Sequence, residues 1–136
     1  LANPNALLLA NACYQIVHSI GMPESRIPLS ETTIYLASSP KSNSAYLAID
    51  NALQVAEKTF SAPVPLAIRN APTSLMKDLG YSDGYKYAHD FPGHFAELEF
   101  MPEALKGTKF YSPAENPKEE AMKNHLRSLW KDKYEY

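Results

Sequence analysis

The chain has 136 residues, 45% of them hydrophobic and 21% charged, which is the size and balance of one folded domain able to bury a core and excludes disorder. A net charge of -2 supplies no bulk attraction to nucleic acid. One cysteine excludes a disulfide framework and a cysteine-rich zinc site, and 11 prolines predict short, punctuated elements.

Asn3-Pro4 signals a helix start, with Asn capping and Pro filling the first turn. The helix is expected to run to about Ile20 and stop at Gly21-Met22-Pro23. Leu8, Leu9, Ala12, Cys13, Ile16, Val17 and Ile20 cover a wide face, which predicts a central helix with Cys13 as a buried small hydrophobe. His18 lies beside that face as a boundary residue. The stretch is too short to span a bilayer and has no basic leader before it. The start at Leu1 without Met, directly before a helix signal, reads as a piece of a longer polypeptide.

Residues 23–29 read as a Pro-bounded turn, and Ser30 as the cap of a short helix ending near Ser38. Ser39-Pro40 repeats the start signal and opens a helix from Pro40 to Phe60. Tyr46, Ile49, Leu53, Ala56 and Phe60 recur at three and four, the period of one buried stripe, with Ala45, Ala48 and Ala52 beside it. Ala62 to Pro65 is a breaker. Pro72 fits the first turn of a short helix ending before Gly80, with Leu75, Met76 and Leu79 expected inward.

Between Gly80 and Gly93 the tyrosines, His89 and Asp90 crowd a loop that is either a site or a packed, ordered connection. His94 to Met101 favours a turn or two of helix over an extended piece. Pro102 and Gly107 bracket a further short turn, and Phe110-Tyr111 reads as a strap across a core. Asn116-Pro117 opens the last helix, where Glu119 can complete a capping box and Met122, Leu126, Leu129 and Trp130 form the apolar face.

Motifs for common chemistries are missing from this stretch. The 5 glycines form no phosphate-cradling loop, and there is neither a nucleophile elbow nor a zinc-protease helix. His89, Asp90 and His94, with Glu97, could in principle hold a metal or run acid–base chemistry, although the spacing fits no strong pattern. The favoured reading is that Arg69, Asn70, Tyr81, Tyr87, His89 and Asp90 order the loop by hydrogen bonding. Lys41, Arg69, Lys77 and Lys86 are the candidate nucleic-acid contacts, since cations near tyrosines suit a single strand, but interleaved aspartates lower the local potential.

Five strings stand together in order: NACYQIVHSIGMPE at 11–24, IYLASSPKSNSAYLAI at 34–49, PLAIRNAPTSLMKDLGY at 65–81, YKYAHD at 85–90 and FMPEALKGTKFYSP at 100–113. On these the chain resembles the C-terminal domain of the MgsA/RarA replication-associated AAA+ ATPases, relatives of the Werner-helicase-interacting ATPase. The family's motifs fall on Pro40-Lys41-Ser42-Asn43, Arg69-Asn70-Ala71-Pro72 and Tyr87-Ala88-His89-Asp90. The chain departs from the usual pattern at Ala67-Ile68, at Ser82 and at the opening of the last helix.

The resemblance implies an all-α, compact multi-helix domain like the oligomerising collar of clamp loaders, with long ordered loops. Residues 1–136 would form a single non-catalytic C-terminal oligomerisation domain, most simply a homotetramer, of a longer protein. That protein would be a cytoplasmic, nucleoid-associated, DNA-dependent ATPase meeting DNA and fork proteins at stalled or damaged replication forks, with no membrane role. ATP and magnesium would belong to its upstream ATPase domain, leaving no cofactor, metal or catalytic residue here. The rival readings are a nucleic-acid-binding module of the same machinery and a small metal-dependent or His/Asp enzyme.

Overall fold

A computed structural model describes residues 1–136, and every regular element is helical: five α-helices and four 3-10 turns, joined by long ordered loops. The architecture is all-α. The first helix, α1 (Asn5–Ile20), follows Pro4 and stops at Gly21, whose φ of 67° places it in the left-handed region that glycine tolerates. Asn3 does not cap α1 as expected. Its amide donates to Ser39 Oγ at 2.8 Å and its Oδ1 accepts from the Tyr35 hydroxyl at 3.2 Å. With its oxygen occupied there, Asn3 fastens the start of α1 to the far end of the next helix.

That helix, α2 (Arg26–Ser38), begins four residues earlier than Ser30. Pro28 falls in its first turn, where a missing N–H costs no intrahelical bond, so the expected turn is already helix. Cys13 is buried, as its setting predicts, and its thiol lies 3.6 Å from the Pro28 carbonyl. No other two α-helices lie against each other as closely as α1 and α2 do.

The third helix, α3 (Ser44–Lys58), starts four residues later than Pro40. Ser44 N–H donates to Ser42 Oγ at 3.2 Å, and the two hydroxyls bond at 3.0 Å, which holds Pro40–Asn43 as a separate lead-in. The orientation of α3 reverses the expectation. Tyr46, Ile49, Leu53 and Phe60 are 65%, 54%, 60% and 89% exposed. The half-buried side is Ala48, Ala52, Val55 and Thr59, behind a buried Ser44. Small side chains let the chain's own irregular segments come close, and this chain offers no broad surface for the large ones.

The short α4 (Ser74–Asp78) is capped by Thr73, whose Oγ1 accepts from Met76 N–H at 3.3 Å. Its Met76 is half-buried, but Leu75 and Leu79 face outward, contrary to expectation. The helix expected after His94 is absent. Gly93 and His94 both have positive φ, 68° and 54°, so the 3-10 turn Pro92–His94 cannot propagate as a right-handed helix, and Phe95 leaves it extended. The short turn bracketed by Pro102 and Gly107 is present as Glu103–Leu105. The last helix, α5 (Pro117–Trp130), opens as expected, with Asn116 Oδ1 accepting from Glu119 N–H at 3.0 Å.

Burial is sparse. Only 7 of 136 residues are buried, and the apolar ones are Ala2, Cys13 and Ala96. No Leu, Ile, Val, Phe or Trp is among them. The accessible surface is 10,075 Å², against about 7,100 Å² for a folded monomer of this mass. The chain by itself therefore exposes roughly 3,000 Å² more than a self-sufficient domain would.

Candidate functional site

The best-organised polar centre lies at the start of α5. Glu119 is fully buried. Its Oε2 accepts from the Tyr111 hydroxyl and the Ala114 N–H, each at 3.0 Å, and its Oε1 accepts from the Asn116 amide at 3.0 Å. Burial alone would raise its carboxyl pKa. The Ser42 and Ser44 hydroxyls, the Ala114 amide and Asn116 outweigh that and hold it well below the ordinary 4.5. The capping box thus exists on its Asn116 side, while the Glu119 side chain gathers three segments: the strap near Tyr111, α5, and the Ser42–Ser44 lead-in to α3. Position in the capping box was the only sequence signal for Glu119. The Ser42 and Ser44 hydroxyls that face it come from the other half of the chain and were not legible.

A second cluster, also missed, joins the extended stretch after Phe95 to the chain's end. Lys133 Nζ lies 3.0 Å from Glu99 Oε2, and Glu99 Oε1 accepts from Met101 N–H at 2.9 Å. Burial would raise the Glu99 pKa, but the Met101 amide and Lys133 hold it below its ordinary value. Lys133 also sits 4.8 Å from the Trp130 ring centre, and Trp130 meets Phe95 edge-on at 4.9 Å.

The residues singled out in sequence divide into two groups. Arg69 and Tyr81 are brought together: the guanidinium lies 5.1 Å over the Tyr81 ring, donates to its hydroxyl at 3.3 Å and to the Val64 carbonyl at 2.7 Å. Ser82, one of the departures from the family pattern, donates its hydroxyl to the Arg69 carbonyl at 2.6 Å. Asn70 is exposed beside this bracket. Tyr87, His89 and His94 form a second group, with ring centres 5.1 Å and 5.0 Å apart in sequence order. His89 and Asp90 are both exposed. The side-chain hydrogen bonds that order this region come instead from Arg69, Tyr81 and Ser82. No group of three or more His, Cys, Asp or Glu side chains is placed to hold a metal ion.

The four candidate phosphate contacts come from different elements of the chain. Lys41 precedes α3 and Lys77 lies on α4, both exposed. Lys86 donates to the Glu97 carbonyl at 3.3 Å, and Arg69 is committed as described. No helix is long and apolar enough to cross a membrane.

The largest chemical feature is apolar. Besides the α3 stripe, α1 turns Leu7, Leu8 and Tyr14 outward. The outer side of α2 carries an open groove of about 830 Å³ lined by Ile27, Ile34 and Tyr35, with Arg26 and Glu31 at its margin. Exposed apolar surface on this scale is unusual for a monomeric soluble protein.

Comparison with known proteins places these features in a family. Residues 1–130 match the model of the MgsA AAA+ ATPase C-terminal domain. The chain is 39% identical to replication-associated recombination protein A of Haemophilus influenzae over 94% of its own length and 29% of that protein. It is 37% identical to the protein of the same name from Bacillus subtilis, over 98% of this chain and 32% of the relative. Over 82% of its length it is 41% identical to ATPase WRNIP1 of Dictyostelium discoideum, covering 13% of that protein. The chain thus spans less than a third of each of these relatives. It belongs to the MgsA AAA+ ATPase C-terminal family.

Proposed function

We propose that residues 1–136 form a single oligomerisation domain, assembling as a homotetramer, of a DNA-dependent AAA+ ATPase that acts at stalled or damaged replication forks. The observation that carries the reading is the missing interior: 7 buried residues, none of them a large aliphatic or aromatic, in a chain that is 45% hydrophobic. Burial of apolar surface is the main force for folding, and here roughly 3,000 Å² beyond what a self-sufficient monomer exposes remains to be covered by another chain. Family membership and the names of the relatives support the replication setting. ATP, magnesium and hydrolysis belong to the rest of the protein.

Self-association of this domain holds several ATPase modules near one DNA and raises their effective concentration. A closed arrangement covers matching patches on every copy and leaves none to recruit further chains. Contact with DNA by this domain is the weaker reading, since Arg69 and Lys86 already bond their own chain. Light scattering coupled to size exclusion tests the proposal. Four times the 15.2 kDa chain mass is expected; a monomer at tens of micromolar overturns it.

A further inference from the structure

We infer that residues 1–3, seated beside the buried Glu119 carboxylate, form a rigid junction that receives the preceding segment of the full-length polypeptide and fixes its direction. The inference rests on family membership and on the packing of these residues; it does not depend on the tetramer.

An irregular segment ahead of a first helix ordinarily frays unless something ties it down. Here three successive residues are tied down before α1 begins. The Leu1 nitrogen lies 3.9 Å from Glu119 Oε1. Ala2 is 6% exposed and is one of the few buried apolar residues of the chain. Asn3 is clamped to Ser39 and Tyr35, at the far end of α2, through both polar atoms of its side chain. Pro4, with a φ of -60°, then stiffens the step into α1. The burial of Ala2 and the two bonds of Asn3 need no charge at residue 1. Within a longer chain the Leu1 nitrogen becomes a peptide N–H, which is still a donor beside the carboxylate.

The place of entry matters as much as its order. Glu119 already holds the Tyr111 hydroxyl and the Ala114 N–H of the strap and the Asn116 cap of α5, and it faces Ser42 and Ser44 at the start of α3. Residue 1 thus arrives where distant segments are locked to one another, and Asn3 adds α2 to the group. A carboxylate satisfied in this way cannot shift without stranding its donors.

The chain matches a C-terminal domain and spans less than a third of its named relatives, so the bulk of such a protein precedes residue 1. A flexible linker would tether that part loosely. A seated junction instead sets the direction in which it leaves. Glu119 is then a positioning residue for the whole protein, beyond its place in the cap of α5.

A nitroxide at Leu1→Cys in the full-length protein, with other accessible cysteines replaced, reads the junction through its nanosecond mobility. An immobilised spectrum is expected in the otherwise unmodified protein. It should become mobile in Glu119→Gln and stay immobilised in Arg69→Ala, which disturbs a loop elsewhere. A mobile label in the otherwise unmodified protein overturns the inference, as does an immobilised one in Glu119→Gln. Equal release by Arg69→Ala also overturns it, because general loosening would then explain the change. If Glu119→Gln does not fold, Tyr111→Phe, which withdraws one donor from the carboxylate, takes its place with the same expected and overturning spectra. A monomeric solution mass would defeat the oligomerisation reading and leave this result standing.

Discussion

The Tyr111 hydroxyl donates to Glu119 Oε2 at 3.0 Å, joining a loop strap to the first turn of α5. The ionisations of the two groups are displaced in opposite directions. Burial, and then the Glu119 carboxylate, push the Tyr111 phenol up to about 12, so it remains a donor across the physiological range. Glu119, fed by hydroxyl, amide and backbone donors, remains an acceptor. A buried carboxylate satisfied on both oxygens fixes the relative position of its segments at little net cost, but removing it strands every donor that faces it.

The first prediction follows from that asymmetry. Glu119→Ala leaves the Ala114 N–H and the Asn116 amide without their acceptor and is expected to destabilise the protein by about 3 kcal/mol. The pH dependence has a definite sign. A carboxyl held below its ordinary 4.5 contributes stability that is fully present above that value and is lost as pH falls through the lower folded pKa. Denaturant midpoints measured from pH 7 to pH 3 should fall in the unmodified chain below about pH 4.5 and fall less steeply in Glu119→Gln. Overlapping acid limbs for the two proteins would show that Glu119 is not the responsible group.

The second concerns the loop that looked most like a site. Asp90 is exposed, so Asp90→Ala should change stability by less than about 0.5 kcal/mol. Arg69 brackets Val64 and Tyr81, and Arg69→Ala is expected to cost about 1 kcal/mol or more. Chemical denaturation of both variants checks the ranking. A larger loss at Asp90 than at Arg69 would reverse it.

The third tests the closure of the chain's end. Lys133 and Glu99 are 19% and 22% exposed and 3.0 Å apart, intermediate between a screened surface pair and a buried one. A double-mutant cycle with Lys133→Met and Glu99→Gln should return a coupling of about 1 kcal/mol. Trp130 fluorescence should shift in Lys133→Met, because the ammonium lies over the indole. Additive effects and an unchanged spectrum would dissolve the proposed link.

The sequence by itself determined the five α-helices to within a few residues, because their signals are local, though not the absence of one after His94. Gly21 ends α1 through its left-handed backbone, and Asn116-Pro117 opens α5 with the expected cap. Distant partners, Tyr35 and Ser39, took the Asn3 side chain from its capping role, whereas a local one, Ser42, took the Ser44 N–H so that α3 starts late. Tertiary structure alone decided which way the faces turn. The period of Tyr46, Ile49, Leu53 and Phe60 predicts a buried stripe, and the fold leaves all four exposed. Nor does any local pattern show that Glu119 sits among hydroxyls from residues 42 and 44, since that proximity arises only when loops close over long separations. Hydrophobic periodicity is written within a few turns of one helix, whereas burial is a property of everything packed around it.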